Sequence, residues 1–547
     1  MPEPVVAPSP ATPGPGSAVL DGAHVGDIRG ALGTIRVGDL GERRSWRARL
    51  IALLAIIGPG LIVMVGDNDA GGVATYAQAG QDYGATLLWT LLLLIPVLIV
   101  NQEMVVRLGA VTGVGHARLI RERFGKFWGA FSVGDLFVLN FLTIVTEFIG
   151  VRLAAGYFGI SADLAVPLAA VLLVAITASG NFRRWERAIL VLVVGSLLVV
   201  PLAVLSHPTP ATIAHGFAVP SVQHGFSSNA VLLIIAIVGT TVAPWQLFFQ
   251  QSNVIDKRIT PRWIAYERAD TVIGAVVVII GAAALMMAAA HAFQGTPQAG
   301  HFVNAGQVAV GLARGVSGAA GAMFAVVLLV ASVIGASAVT LATSYAFGDV
   351  FGLRHSLHHR FSEAKVFYGS YSAMVLLAAA IVMVPNAPLG VLTTAVQALA
   401  GVLLPSATVF LLLLCNDREV LGPWVNAGWL NVVASAIVGV LLVLSLILVL
   451  STVDPHVDAG LLFVVLTGAM LACLVAGGAA LALRRDAPGP RPVPRSERMA
   501  WRMPPLALLA RPRWSRGRLL GMWALRGYLL VAALLLVVKA VRLAGGH

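Results

Sequence analysis

Charge is scarce in this 547-residue chain: Asp, Glu, Lys and Arg make up 11% of it, against 58% hydrophobic residues and a mean hydropathy of +0.87. So little charge excludes a soluble multidomain protein and leaves a polytopic helical membrane protein. Cysteine is scarce too. Cys415 and Cys473 stand in apolar surroundings without metal-ligand spacing, which excludes a disulfide framework or a thiolate site and predicts two small buried side chains. The first 48 residues lack the apolar core of a signal peptide; rich in Pro, Ala, Gly and Ser and then basic at Arg43, Arg44 and Arg47, they read as a disordered cytoplasmic tail. A basic patch is also missing. The formal charge of +12 is spread over short loops between apolar runs, so Lys and Arg are topology signals and nucleic acid is not a partner.

What is present is a series of twelve apolar runs, at about 51–80, 84–108, 127–156, 162–179, 186–205, 229–255, 264–293, 316–348, 364–384, 389–415, 424–450 and 459–483, each long enough or nearly so to span a bilayer. A further run, 519–543, is interrupted by Arg526, Lys539 and Arg542 and reads as either a thirteenth span or an interfacial helix. Loop charges give the orientation. Arg118, Arg121, Arg123 and Lys126, then Arg183, Arg184 and Arg187, then Lys257, Arg258 and Arg262, then Arg354, Arg360 and Lys365, and Arg484 and Arg485 all fall on one side, with Arg314 the exception on the other. The positive-inside rule then predicts a cytoplasmic N-terminus in a multi-pass cell-membrane protein.

One stretch organises the rest. Gly66-Asp67-Asn68-Asp69-Ala70-Gly71-Gly72 sets two carboxylates and three glycines in the middle of the first apolar run, which at roughly 32 residues would as one helix outrun a bilayer core of about 30 Å. A broken helix with unwound backbone lining a polar cavity accounts for the length, the glycines and the acids together. Five spans later Gly239-Thr240-Thr241-Val242-Ala243-Pro244-Trp245-Gln246 predicts a second break, since Pro244 removes a backbone donor in mid-span. Interrupted first and sixth helices are the pattern of an all-α, LeuT-type five-plus-five inverted repeat, here with 11–13 transmembrane helices. The expected parts are the tail 1–48, a first repeat 49–205, a second repeat 229–415, accessory helices 424–483, a cytoplasmic linker 486–518 and the terminal element 519–543.

Several of these residues resemble a known family. Gly58-Pro59-Gly60, Asp69 followed by Ala70-Gly71-Gly72, Gln78-Ala79-Gly80, Arg107-Leu108-Gly109 with Thr112-Gly113, Thr146-Glu147-Phe148-Ile149-Gly150, Phe182-Arg183-Arg184, Thr241-Val242-Ala243-Pro244-Trp245, and Gln397 with Leu404-Pro405 resemble the NRAMP divalent metal transporters over roughly residues 50–480. The departures are informative. In the family's Asp-Pro-Gly-Asn motif the Asp falls on Asp69, but the Pro falls on Ala70 and the Asn on Gly72. In its Met-Pro-His motif the Met falls on Ala243, the Pro on Pro244 and the His on Trp245. Asp67 stands where the family usually has an aromatic residue, and Ile144 replaces an acid three positions before Glu147. This set of changes resembles the NRAMP-related magnesium transporter branch.

Chemistry points the same way. Losing a thioether and gaining a carboxylate moves a site toward hard cations, and Mg²⁺ is usually held by one or two carboxylates with several waters retained. The expected metal residues are Asp67, Asp69, Gly66, Thr240, Thr241, Ala243, Gln246 and Gln397, with Glu147 and Trp245 in gating or coupling; Arg152, five residues on, is a candidate partner for Glu147, and Glu103 reads as a buried structural acid. The expected function is transport of divalent cations, foremost hydrated Mg²⁺ and also Mn²⁺, without proton coupling because Trp245 and Ile144 remove two proton-active positions. An inside-negative potential would drive it, contributing about 4.6 kcal/mol per 100 mV for a divalent ion. No cofactor is expected, the ion being cargo, and a monomer suffices. Three rivals stand beside this reading: a proton-coupled Mn²⁺ or Fe²⁺ transporter of the same family, a sodium-coupled amino-acid transporter, whose substrate carboxylate two acids would repel, and an intramembrane aspartyl protease, for which no facing second Gly-Asp is suitably placed.

Overall fold

The computed structural model describes residues 22–39, 41–223, 225–384, 389–453, 457–483, 493–509 and 519–528, with residues 530, 531, 534 and 538 beyond them. Without water at membrane depth every backbone polar group must be bonded internally, so the apolar runs fold as helices. α1 (Trp46–Ile56) bends by 57° into α2 (Pro59–Val65), which continues through a 3-10 turn (Gly66–Asn68) to α3 (Ala70–Tyr83). Next come α4 (Leu88–Thr112), a short α5 (His116–Phe124), α6 (Lys126–Tyr157), α7 (Ala162–Thr177), and α8 (Phe182–Ser196), which α9 (Val199–Leu205) prolongs. α10 (Pro210–Ala218) leads to a second series: α11 (Ser228–Thr241) broken from α12 (Pro244–Asp256), α13 (Ile264–Phe293), a connecting α14 (Ala305–Gly315), α15 (Gly318–Phe351), α16 (Lys365–Val382) and α17 (Leu389–Cys415). α18 (Arg418–Leu421), α19 (Gly428–Val453), α20 (Ala459–Leu483) and α21 (Arg495–Ala500) follow.

Among the described residues nine helices are long and apolar enough to cross a membrane, ten if the bent pair at residues 46–68 is one span, and α7 and the stretch 460–476 are shorter apolar helices. Their ends are written locally. Ser45, Asn181, Ser227, Asn304 and Ser317 each accept the backbone N–H three residues on, as N-caps do, while Gly113 and Gly352 close α4 and α15 with left-handed φ of 64° and 65°. The two series pack on each other. α13 lies along α2, α3 and α4, α15 along α6, and α11 between α3 and α17, so both broken helices meet at the centre of the bundle.

The expected disordered tail does not hold for residues 22–39. β1 (Ile28–Gly30) and β2 (Gly33–Ile35) pair antiparallel, with Ile28 opposite Ile35, and lie on the inner face of α1. Both hairpin glycines are needed there. A Cβ on Gly33 would stand 2.9 Å from the Ala55 methyl, and one on Gly30 would collide with the Ala55 carbonyl. Ala31 N–H donates to Glu186 at 2.5 Å, Arg187 donates to Ala31 O at 3.0 Å and Arg258 to Ala23 O at 2.8 Å. Every one of these contacts is distant in sequence, which is why composition alone misread the segment; residues 1–21 lie outside the described residues.

Cys415 is buried as expected, but Cys473 is exposed, because α20 leaves Leu461, Val464 and Leu471 uncovered at the edge of the bundle. Part of the linker is held: Trp424 donates to Arg498 O at 2.9 Å, beneath the Arg498 guanidinium. In the terminal element Arg526 sits over the rings of Phe127 and Phe131. Arg484 and Arg485, linker residues 486–492 and 510–518, and Lys539 and Arg542 lie outside the described residues.

Candidate functional site

The first break is made by a side chain. After the 3-10 turn, Asp69 turns extended (φ −65°, ψ −177°) and its carboxylate accepts Gly72 N–H at 2.6 Å, N-capping α3. The expected unwinding across Gly66–Gly72 is therefore confined to that turn and one extended residue, with helix resuming at Ala70. This brings the Asp67 and Asp69 carboxylates, two residues apart, within electrostatic reach of each other. Below the break, α2 is fixed at its start: Asp270 accepts Gly58, Gly60 and Leu61 N–H at 3.0, 2.8 and 3.1 Å, and Lys257 donates to Ile56 O and Ile57 O at 2.6 and 2.9 Å and to Glu186 at 2.6 Å.

The second break is made by backbone alone. Val242 and Ala243 leave the helix and Pro244 opens α12 at its first position, where a missing N–H costs nothing. Gln246, one turn on, donates its amide to Asp67 and, at 3.3 Å, to Thr241 O, while its oxygen accepts Gln102 Nε2 at 3.2 Å. The Gln246 oxygen thus faces α4 rather than Asp67. Trp245 covers the break, its indole 3.2 Å from where a Cβ on Gly66 would stand.

Most of the expected residues converge, and some do so differently from expectation. Thr240 Oγ lies beside Asp69 and 3.0 Å from the Cβ position of Gly72, and the Gln397 amide lies against Gly71, so both glycines exist for close approach. Thr241 is not a free ligand: its hydroxyl donates to Ile237 O at 2.6 Å and meets Tyr76 Oη at 2.7 Å. The Ala243 carbonyl accepts Gln246 N–H at 3.2 Å. Glu147 lies next to Asp69 and accepts Ala70 N–H at 3.1 Å. Arg152 does not pair with it and donates instead to Val382 O at 2.7 Å. Glu103 is structural as expected, paired with Arg107 and Arg268. Gln102 and Tyr76 were not foreseen. Gln102 had a signal, the polar triplet Asn101-Gln102-Glu103 in an apolar helix, whereas Tyr76 had none.

The electrostatics of this centre are one-sided. Asp67, Asp69 and Glu147 are buried, and no Lys, Arg or His makes an ion pair with them among the described residues. Among the described residues Asp67 Oδ2 and Gln397 Nε2 have no hydrogen-bond partner, while the Thr240 hydroxyl and the Glu147 carboxyl lie within hydrogen-bonding reach of Asp69. Unpaired carboxylates inside a membrane protein are costly, and a cation is the partner that offsets them. Among the described residues no three His, Cys, Asp or Glu side chains are placed to hold a metal ion, so carboxylates alone do not form a cage. Hydroxyl, amide and carbonyl oxygens, or retained water, would have to complete one.

Comparison with known proteins was made on sequence and on fold. The model of the family described as natural resistance-associated macrophage protein-like matches residues 60–451. A divalent metal cation transporter MntH of Ralstonia nicotianae is 30% identical over 416 residues, 73% of this chain and 91% of its own, and the MntH of Bacillus subtilis is 27% identical over 437 residues, 75% and 95%. The crystal structure of the Eremococcus coleocola manganese transporter with an aromatic bis-isothiourea compound superposes with a TM-score of 0.58 at 20% identity, covering 80% of this chain and 97% of that one. The likeness in structure shows a shared fold, the expected LeuT-type repeat.

Proposed function

The chain belongs to the natural resistance-associated macrophage protein-like family, and from that premise we propose that it carries divalent metal cations across a cell membrane by alternating access, with Mn²⁺, for which the Eremococcus coleocola transporter of like fold is named, as the foremost ion. The observation that carries the proposal is the buried, uncompensated set of Asp67, Asp69 and Glu147 where the two broken helices meet. Asp69 and Asp67 supply the charge, while Thr240, Gln397 and, after its amide turns, Gln246 supply neutral oxygens. Loop charges support a cytoplasmic N-terminus. Glu147 beside Asp69 is a protonatable group in place for the proton-coupled Mn²⁺ or Fe²⁺ reading, although neither Trp245 nor Ile144 can carry a proton.

A second reading has its own observation. Ala243 brings no thioether to the second break and Asp67 adds a carboxylate to the first, a donor set of hard oxygens that suits hydrated Mg²⁺. The two readings separate in proteoliposomes. Mn²⁺ uptake that persists in excess Mg²⁺ and acidifies the lumen supports the first; uptake suppressed by Mg²⁺, with no pH change, supports the second. Unchanged uptake by Asp69→Ala would remove the site from both.

A further inference from the structure

α1 precedes the residues matched by the family model and presents two unlike faces. Its inner face, Ala52, Ala55 and Ile56, is buried under the hairpin and α13. Its outer face is bare and apolar: Trp46 is 69% exposed and Ile51 67%, with Leu50 and Leu54 exposed beside them. Over this face runs a cationic first turn. Residues 43–49 hold four arginines and no acid. Arg43 is spent internally, on Asp39 at 2.5 Å and on the Trp263 ring; Arg44, Arg47 and Arg49 are exposed, Arg44 pairing at the surface with Glu42 at 3.2 Å, Arg49 donating to Arg43 O at 3.1 Å and Arg47 stacked on Trp46.

We propose that this face of α1 is a docking surface for anionic phospholipid headgroups of the cytoplasmic leaflet. The charge pattern selects that occupant: arginines at headgroup depth, a tryptophan at the interface, and then Leu50, Ile51 and Leu54 reaching the acyl chains, which is the order of a lipid-facing helix end that enters an anionic leaflet. The contact bears on transport through the joint at its far end. α1 meets α2 at a 57° bend at Gly58, φ 154°, whose Cβ position is filled by the Glu186 carboxylate and the Lys257 ammonium and whose backbone is pinned on both sides by Lys257 and Asp270, so the two helices are coupled through a fixed joint. α2 continues through the 3-10 turn to Asp67, just before the break at Asp69. An anionic leaflet that holds α1 thereby holds the lower half of the first broken helix at one angle. The inference rests on the proposed orientation and transport.

The test uses the full chain in vesicles of phosphatidylcholine alone and of phosphatidylcholine with phosphatidylglycerol. Wild type is expected to take up Mn²⁺ about threefold faster or more with phosphatidylglycerol, since each arginine near an anionic surface adds attraction. The triple variant Arg44→Gln, Arg47→Gln, Arg49→Gln should keep the rate in neutral lipid and lose the gain. In parallel, an environment-sensitive fluorophore on Ile51→Cys, with the exposed Cys473 changed to Ser, should shift to an apolar signal more fully when phosphatidylglycerol is present. Equal rates in both lipids, or a gain that survives in the triple variant, would overturn the proposal. So would an Ile51 label whose signal is the same with and without phosphatidylglycerol. If no vesicle takes up metal while the label still answers to phosphatidylglycerol, the transport reading fails and the docking surface stands.

Discussion

The two broken helices interrupt themselves for opposite reasons. In the first, an acidic side chain ends one helix and caps the next, so the break is charged by construction. In the second, Val242, Ala243 and Pro244 open the chain with backbone geometry only, and the first amide side chain after them, Gln246, is turned by Gln102 so that its N–H side meets Asp67. The difference teaches a division of labour. One half brings the charge that attracts a cation; the other brings neutral dipoles and space, and so tunes which cation is accepted.

The sharpest way to break this comparison is Asp69→Asn. Asparagine caps a helix about as well as aspartate, so the fold should persist while metal uptake falls by more than about 100-fold, because even outer partners of metal ligands are worth 10–100-fold. Retained uptake with an unaltered melting temperature would show that the cap, not the charge, is what matters at this position. Next in size, Gln102→Leu removes the donor that holds the Gln246 oxygen toward α4 and should lower the KM for metal about tenfold with little change in maximal rate. A KM equal to wild type would mean that the Gln246 oxygen is not a ligand. Ala243→Met places a thioether in the uncharged break and should raise uptake of Cd²⁺ relative to Mg²⁺ several-fold, at an overpacking cost of about 1–3 kcal/mol. An unchanged ratio would show that selectivity is not set from that side.

The smallest effect concerns how the lower halves are anchored. α2 is held by Asp270 and Lys257, whereas the far end of α12 is held through Asp256, which accepts Tyr345 Oη at 2.7 Å and Leu357 N–H at 3.0 Å and lies 3.6 Å from His24. His24 packs against His355. Burial pushes the His355 imidazole down, but the Asp349 carboxylate at 3.0 Å outweighs it and holds the group up at about 9, above its ordinary 6.5. The sign follows: this pair stabilises the fold fully below pH 6.5 and loses that contribution as pH rises through about 9, by about 3 kcal/mol at most. Melting temperature should fall between those pH values in wild type and much less so in His355→Gln; equal slopes would discount the pair.

Much of this was legible in the chain itself. Twelve apolar runs, the intramembrane Asp67 and Asp69, and Pro244 in mid-span placed both breaks, because length, burial cost of charge and loss of a backbone donor are local properties. What was not legible depends on partners far away in sequence. Nothing around Thr241 announces that Tyr76 will occupy its hydroxyl, and nothing near Arg152 says that a carbonyl on α16 will draw it from Glu147. The hairpin at residues 28–35 is the clearest case: its own composition predicts no order, and Ala55, Glu186 and Arg258 supply it.

The oxygen of Asp69 that accepts Gly72 N–H has a further consequence. A cation drawing on that atom competes with the first turn of α3 for the same lone pairs, so loading and unloading are also mechanical events, easing and restoring the grip on a helix end. The cargo would then act as a tensioning screw, and the 2.6 Å hydrogen bond is the thread on which it turns.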